Sequence, residues 1–179
     1  MWTGGICHHQ RMPLVQGYFM LVLDMSGSFT YLVKIIQWKS RSIQPLVLLW
    51  PSYLTCRQIE TGGDVPILRE ACTLLGYKGK LLLHGAFGRE RFLCDTHVFN
   101  TITERWRKVD CKMGSFPFSR VLSSLSVASE KVALFGGESS YQFFNNVWLF
   151  DTQAECWEMC DIGTEKPSPR SNHSLLTTK

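Results

Sequence analysis

The chain has 179 residues, of which 45% are hydrophobic, 12% aromatic and 19% charged. This composition excludes a disordered chain, and the length suffices for one domain with a buried core. Lysine and arginine total 19 against 15 aspartate and glutamate residues. That excess is too small and too scattered to predict a nucleic-acid partner.

The first 55 residues contain apolar runs without a regular period, at 18–23, 31–36 and 46–50. The apolar run at 12–23 is shorter than the roughly 20 residues that cross a bilayer, so we predict no membrane span. No motif that carries chemistry is found there. We interpret residues 1–55 as an apolar leader of unknown fold.

The seven cysteines are irregularly spaced, and none forms a C-x-x-C pair. This pattern predicts neither a disulfide framework nor a zinc ribbon, so we expect no metal and no cofactor. Most of the cysteines lie in apolar runs, where a free thiol acts as a small hydrophobic group. Free thiols favour a reducing environment, and we therefore expect a cytoplasmic protein.

From Cys56 onwards the sequence repeats itself at an interval of 51 residues. Trp106 and Trp157 are separated by this interval, as are Gly85 and Gly136. A P-x-x-R motif recurs at nearly the same interval and ends at Arg69, Arg120 and Arg170. Several matches in one register indicate a tandem repeat. The segment 56–66 has the spacing of the end of an earlier unit, with Cys56 in the tryptophan position.

Each unit contains four short apolar runs separated by turn-forming residues. The runs lie at 72–77, 80–86, 96–100 and 105–110 in the first unit, and at 121–129, 131–137, 146–151 and 156–160 in the second. No segment has the sustained apolar period and the flanking caps of a helix. Four antiparallel strands in a unit of about 50 residues are typical of a β-propeller blade.

The second unit carries the most specific motif. Gly136-Gly137 follows an apolar strand, NVWLFD (146–151) comes next, and Trp157 lies six residues beyond it. This pattern resembles a kelch repeat, and the segment after Pro167 is similar to the start of another. The first unit departs from the pattern, because Gly85 is followed by alanine instead of a second glycine.

The resemblance covers about residues 56–179 and implies an all-β fold, a partial kelch-type β-propeller. We expect about two full four-stranded blades, at 66–116 and 117–166, and a third blade begun at 167, so that the propeller is incomplete. Residues 1–55 are not kelch-like, although LVLL (46–49) is a candidate for a degenerate strand. Because open blade edges invite pairing, we also expect self-association.

Five positions of the repeat have structural roles in this interpretation. Gly85, Gly136 and Gly137 permit a positive φ and a close approach of the backbone to the neighbouring blade. Trp106 and Trp157 fill the wedge between blades.

In the kelch family, partner peptides bind to one face, which consists of two sets of loops. The resemblance places the first set at 87–94 and 138–145. The second set leads into the blades, at 62–68, 112–119 and 162–169. The candidate partner-binding residues of the first set are Arg89, Arg91, Ser139, Ser140, Tyr141 and Gln142.

The motif arginines Arg69, Arg120 and Arg170 have two interpretations. In the first, each guanidinium group ties neighbouring backbone carbonyls, a task that suits its five fixed donors. In the second, the arginines converge and bind an acidic or C-terminal carboxylate group of a partner. The sequence leaves both interpretations open.

The function predicted for such a chain is protein–protein interaction, as a substrate-recruiting or regulatory scaffold with a protein or peptide partner. No nucleophile elbow, P-loop, zinc-protease or dinucleotide motif is present, so we predict no enzyme and no catalytic residue. Two alternatives stay open. One is a truncated or alternatively started kelch fragment without independent activity, and the other is a kelch-fold enzyme.

Overall fold

The computed structural model describes residues 60–110 and 115–178 with their side chains, and three further strands as backbone. These are β1 (Leu32–Ile35), β2 (Leu46–Trp50) and β3 (Thr55–Ile59), which form an antiparallel sheet in the order β1-β2-β3. Within the described residues every regular element is a strand, which confirms the all-β fold. No helix long and apolar enough to cross a membrane occurs in that part of the chain.

The second sheet is a four-stranded antiparallel blade with one short addition. It consists of β4 (Gly62–Gly63), β5 (Thr73–Tyr77), β6 (Lys80–Gly88), β7 (Arg91–Asn100) and β8 (Arg105–Lys108), in the order β4-β8-β7-β6-β5. The short strand β4 pairs in parallel with β8 and so covers the outer edge of this blade. We refer to the sheet as blade 1.

The third sheet is a four-stranded antiparallel blade, which we call blade 2. It consists of β9 (Ser124–Ala128), β10 (Lys131–Phe135), β11 (Val147–Asp151) and β12 (Cys156–Cys160), in the order β12-β11-β10-β9. The two sheets and their open arrangement agree with the expected partial propeller.

The loop predicted at 87–94 is wrong, because the structure extends the hairpin of β6 and β7 through it. Only Arg89 and Glu90 form the turn, and both have a positive φ, of 50° and 60°. The rings of Phe87 and Phe92 are 5.4 Å apart across the hairpin and stabilise the extra pairing. This cross-strand aromatic contact joins residues that the prediction treated as parts of an irregular loop.

All three sheets pair in the same register. In blade 1, Leu81 lies opposite Phe99, which lies opposite Trp106. In blade 2 the corresponding row is Val132, Phe150 and Trp157. The first sheet has the row Leu32, Leu49 and Cys56. Its strands therefore correspond to the second, third and fourth strands of a blade, and β1 and β2 lie within the segment interpreted as a leader.

Apolar side chains of the two blades meet in a common core. Tyr77, Leu82 and Val98 of blade 1 belong to the same buried cluster as Leu134 and Phe150 of blade 2. The strand alternation of the two sheets places these residues on facing surfaces. A single blade cannot bury both faces of its sheet. The stacking of neighbouring blades therefore makes the core.

A hydrogen-bonded contact also crosses this core. The indole nitrogen of Trp157 in blade 2 donates to the hydroxyl of Thr96 in blade 1 over 2.9 Å. That hydroxyl lies 3.0 Å from Nδ1 of His84, whose ring is 5.1 Å from the indole. Trp157 thus fills the wedge between the blades and is held there by a polar bond.

Acid is expected to loosen this contact. Burial, together with the nearby charge of Arg120, lowers the pKa of His84 to about 3. In the unfolded chain the imidazole of His84 takes up a proton near pH 6.5, whereas in the folded protein it does so only near pH 3. The stability that the neutral His84 contributes is therefore complete above pH 6.5 and is lost as the pH falls towards 3. The loss amounts to at most about 1.4 kcal/mol per pH unit. Urea unfolding between pH 7.5 and 5 should show a shallower pH dependence for His84→Gln than for the natural chain. Equal slopes would contradict this assignment.

Substitutions that suit the positive φ values of the Arg89-Glu90 turn should stabilise the protein. Two consecutive positive φ values match a type I′ turn, which favours Asn-Gly and costs an ordinary residue about 1–2 kcal/mol. We expect the double variant Arg89→Asn/Glu90→Gly to raise the free energy of unfolding by about 1 kcal/mol. The control Arg89→Ala/Glu90→Ala removes the same charges without relieving the backbone. If thermal unfolding shows an equal gain for both variants, the turn is not the cause.

Candidate interaction site

The topology brings one set of connections to the same end of both blades. The second strand ends there, the third begins there, and the segment leading into the first strand arrives there. In blade 1 these connections are the Arg89-Glu90 turn and residues 64–72, and in blade 2 residues 136–146 and 115–123. We call this side of the molecule the loop end. Part of the predicted loop 112–119 lies outside the described residues.

Arg69 is buried in blade 1 and ties three of its parts together. Its Nε donates to the carbonyl of Ile67 over 3.1 Å and its Nη1 to the carbonyl of Gly85 over 3.2 Å. Two further bonds, of 2.7 and 2.8 Å, join its Nη1 and Nη2 to both carboxylate oxygens of Asp95. Although burial opposes it, this pairing holds the pKa of Asp95 below its usual value.

Arg120 repeats this arrangement in blade 2 at the same sequence separations. Its Nε donates to the carbonyl of Phe118, its Nη1 to that of Gly136 over 2.8 Å and to Oδ1 of Asn146 over 2.9 Å. Its guanidinium carbon lies 4.1 Å from the ring centre of Phe144, a cation–π contact. Burial lowers the pKa of Arg120 to about 10.

The two arginines differ in one respect. Asp95 offers two oxygens to Arg69, but an asparagine offers one oxygen and an amide group that can only donate. Nη2 of Arg120 accordingly has no hydrogen-bond partner among the described residues, although Arg120 is only 1% exposed. The guanidinium group of blade 2 is therefore short of one acceptor.

The main chains of Arg120 and Arg170 contact the preceding blade. The amide of Ala86 donates to the carbonyl of Arg120, and that of Gly137 to the carbonyl of Arg170, over 3.1 and 2.8 Å. A Cβ atom on Gly85, whose φ is 63°, would lie 2.5 Å from the Arg120 oxygen. Only glycine permits this approach. Arg120 thus joins its own blade through its side chain and the preceding one through its backbone.

Arg170 is the exposed member of the three. Within the described part of the chain, its Nε and Nη2 donate only to the carbonyl and the hydroxyl of Ser168, over 3.0 and 2.9 Å. Arg89 and Arg91, at the tip of the β6–β7 hairpin, are also exposed. The structure therefore divides the five candidate arginines into two classes. Arg69 and Arg120 are buried and have structural contacts, whereas Arg89, Arg91 and Arg170 are accessible at the surface.

The other predicted loop forms a compact tip on blade 2. The amide of Ser139 donates to the carbonyl of Gln142 over 2.9 Å and closes a turn that contains Ser140 and Tyr141. Tyr141 is 97% exposed, and Phe143 is exposed beside it, whereas Phe144 is buried on Arg120. Ser140 and Gln142 are exposed as well, and Ser139 is half-buried.

Three exposed apolar residues at this end were not predicted as contacts. Leu68 and Phe118 lie between the proline and the arginine of their motifs, and Phe87 lies before the hairpin turn. The feature of the sequence that could reveal them is an apolar residue at a position that does not pack in either blade. Asp95 and Asn146 match at the 51-residue interval of the repeat, but only the structure shows that they lie beside the arginines.

The difference between Asp95 and Asn146 is testable with a reciprocal pair of substitutions. Asn146→Asp supplies the missing acceptor to a buried cation and should raise the free energy of unfolding by about 1–2 kcal/mol. Asp95→Asn leaves Arg69 short of an acceptor and should lower it by about 2–3 kcal/mol. Urea unfolding at pH 7.5 measures both. Changes of the same sign in the two variants would contradict the assigned roles.

Comparison with known proteins gives a consistent result. The chain matches the KLHDC2/KLHL20/DRC7 Kelch-repeats domain family over residues 38–179. Acyl-CoA-binding domain-containing protein 5 of Arabidopsis thaliana is 30% identical over 122 residues, which are 66% of this chain and 18% of that protein. Host cell factor 1 of Homo sapiens is 27% identical over 137 residues, which are 73% of this chain and 6% of that protein.

Kelch domain-containing protein 1 of Mus musculus is 26% identical over 136 residues, which are 63% of this chain and 34% of that protein. The chain thus spans about a third or less of the length of these relatives. The family match begins at residue 38, upstream of the repeat that the sequence shows from Cys56, and it includes β2. With the repeated register and the repeated arginine contacts, this match shows that the chain belongs to the Kelch-repeat family.

Proposed function

We propose that the chain binds a peptide segment of another protein at the loop end and so recruits or regulates that protein. The Kelch-repeat family as a whole is a protein-interaction fold, which supports this class of function. The observation that carries the proposal is the group of exposed apolar side chains at one end of two well-ordered blades. Its members are Leu68, Phe87, Phe118, Tyr141 and Phe143.

The apolar side chains lie on a connected surface. In blade 1, a Cβ on Gly88 would lie 2.6 Å from the carbonyl of Leu68, so that the lead-in segment touches the hairpin. The carbonyl of Leu93 accepts from the amide of Arg120, which places the lead-in of blade 2 beside the same hairpin. The Arg120–Phe144 contact then joins this lead-in to the tip of blade 2. Exposed apolar surface of this kind marks interaction sites.

The frame beneath this surface is rigid, because the buried arginines tie each lead-in segment to its own blade. A surface whose backbone is held before binding loses less conformational entropy when a partner arrives. Tyrosine and phenylalanine add contact area with few rotatable bonds. The geometry is therefore better suited to holding a peptide than an irregular set of loops would be.

The partner that fits this surface is a peptide with apolar and acidic residues. Arg89, Arg91 and Arg170 are exposed around the apolar group, and carboxylates are the ligands that guanidinium groups bind best. The chain as a whole carries a net charge of +4. In this proposal Arg69 and Arg120 hold the lead-in segments in place, and the exposed arginines provide the positive charge that binds the acidic residues of the partner.

We propose no catalytic activity, since the Kelch-repeat family is generally a non-enzymatic interaction fold. A cytoplasmic location also belongs to the proposal. Cys72, Cys94 and Cys160 are free thiols, as a reducing compartment would keep them.

A displayed library of 12-residue random peptides tests the proposal. Selection on the natural chain should enrich peptides that combine acidic with aromatic or aliphatic residues. Tyr141→Ala/Phe143→Ala should weaken the binding of an enriched peptide at least tenfold. The control Ile102→Ala removes an apolar side chain that is 88% exposed, at the opposite end of blade 1, and should leave affinity unchanged. Equal losses in both variants, or no enrichment at all, would overturn the proposal.

A further inference from the structure

The position that faces the guanidinium group of a buried motif arginine can be reached from solvent. In blade 1 it holds the carboxylate of Asp95, which accepts from Nη1 and Nη2 of Arg69 over 2.7 and 2.8 Å. The side chain of Asp95 is 22% exposed, whereas that of Arg69 is only 2% exposed. A carboxylate group therefore fits at this position, between a buried cation and the surrounding water.

Blade 2 has an amide group at the corresponding position. Asn146 stands 26 residues after Arg120, as Asp95 stands 26 residues after Arg69, and its Oδ1 accepts from Nη1 over 2.9 Å. The nitrogen of the same amide is a donor and cannot accept from Nη2. Nη2 consequently has no hydrogen-bond partner among the described residues, although Arg120 is buried. Asn146 itself is half-buried, so its side chain has access to solvent.

Arg120 also lacks a negatively charged partner in the part of the chain that the structure describes. Its side chain contacts the carbonyls of Phe118 and Gly136, the amide oxygen of Asn146 and the ring of Phe144, all of which are uncharged. A buried cation without a counter-ion lowers the stability of a fold. An anion that reaches Nη2 supplies both an acceptor and the opposite charge.

This site lies at the junction of the two complete blades. The backbone of Arg120 contacts Ala86 and Leu93 of blade 1. Asn146 alternates along its strand with Trp148 and Phe150, which belong to the core that both blades share. The residues that form the site therefore all belong to blades 1 and 2 and to the segment that joins them.

We propose that Arg120 binds a small planar oxyanion, of the size of formate or bicarbonate, from solution. The amide group of Asn146 turns towards the solvent, and two oxygens of the anion accept from Nη1 and Nη2, as the oxygens of Asp95 do in blade 1. The ring of Phe144 covers one face of the guanidinium group, so the anion approaches in the guanidinium plane. Because Arg120 is buried, the site takes a group no larger than the carboxylate of Asp95.

The bound anion stabilises the part of the loop end that blade 2 contributes. Nε of Arg120 donates to the carbonyl of Phe118 over 3.0 Å, and Phe144 packs on the guanidinium group. An anion that fixes this group thus also fixes the lead-in segment and the tip, which carry the exposed Phe118 and Phe143. The inference does not require the proposed peptide binding, because the anion lies beneath the peptide surface.

Urea unfolding at constant ionic strength tests the site. Replacement of sodium gluconate, whose carboxylate is part of a chain too large to enter, by about 100 mM sodium formate should lower the equilibrium constant for unfolding about fivefold. In the matched variant Asn146→Asp, a carboxylate of the protein takes the position, so only the general effect of the salt should remain. The control Arg89→Ala removes an exposed arginine and should keep the full formate effect. An equal formate effect in Asn146→Asp and the natural chain would overturn the proposal.

The variant Asp95→Asn tests the same chemistry by a gain of binding. It gives Arg69 the partner that Arg120 has, so formate should stabilise this variant more than it stabilises the natural chain. An effect no larger than in the natural chain would contradict the proposal.

Saturation-transfer NMR observes the bound anion directly, through the proton of formate. Transfer from the natural chain should fall at least by half in Asn146→Asp, a variant that we expect to be the more stable of the two. The control Arg89→Ala should retain the signal, except for the part that formate gains at exposed arginines. Equal transfer from the natural chain and Asn146→Asp would overturn the site even if Asp95→Asn does not fold.

Discussion

The fold depends on Arg120, which joins the two blades by different parts of the same residue. The side chain of Arg120 holds the lead-in segment and strands of blade 2, while its backbone carbonyl accepts from Ala86 of blade 1. A glycine must stand opposite, since any Cβ at Gly85 would meet that carbonyl. The P-x-x-R motif and the glycine of the second strand therefore form one contact, and each requires the other.

The partners of the motif arginines also explain how a buried guanidinium group is tolerated in each blade. Arg69 is compensated by a carboxylate, whereas Arg120 has an amide oxygen, backbone carbonyls and the face of Phe144. The second solution leaves one guanidinium nitrogen without a hydrogen-bond partner among the described residues, and burial lowers the pKa of the group. Both solutions hold the lead-in segments in place, so that Phe118 and Tyr141 are presented from a frame and not from free loops.

The same contact extends beyond the two complete blades. Gly137 and Phe144 bind the backbone of Arg170 as Ala86 and Leu93 bind that of Arg120. Blade 2 thus presents a junction that is already occupied by the start of another blade. Propeller blades stack by repeated junctions of this kind.

Much of this protein follows from the sequence alone. The interval of 51 residues, the alternating apolar runs and the glycines are local patterns, and they correctly predict the strands, both blades and the family. The repeat pattern does not extend clearly before Cys56, because β1 and β2 lack the motif residues, and their pairing register relates them to the strands of the other sheets. Periodicity reports which segments are strands, but not which strands lie side by side.

Only the tertiary structure decided what the motif residues do. Arg69 and Arg170 have the same sequence motif, yet one is buried against Asp95 and the other is exposed. The side-chain partners of Arg69 stand 16 and 26 residues further along the chain, and the fold brings them within hydrogen-bond distance. The hairpin through 87–94 likewise depends on a contact between Phe87 and Phe92 across the sheet. A sequence pattern specifies local geometry, but burial and pairing are properties of the assembled blades.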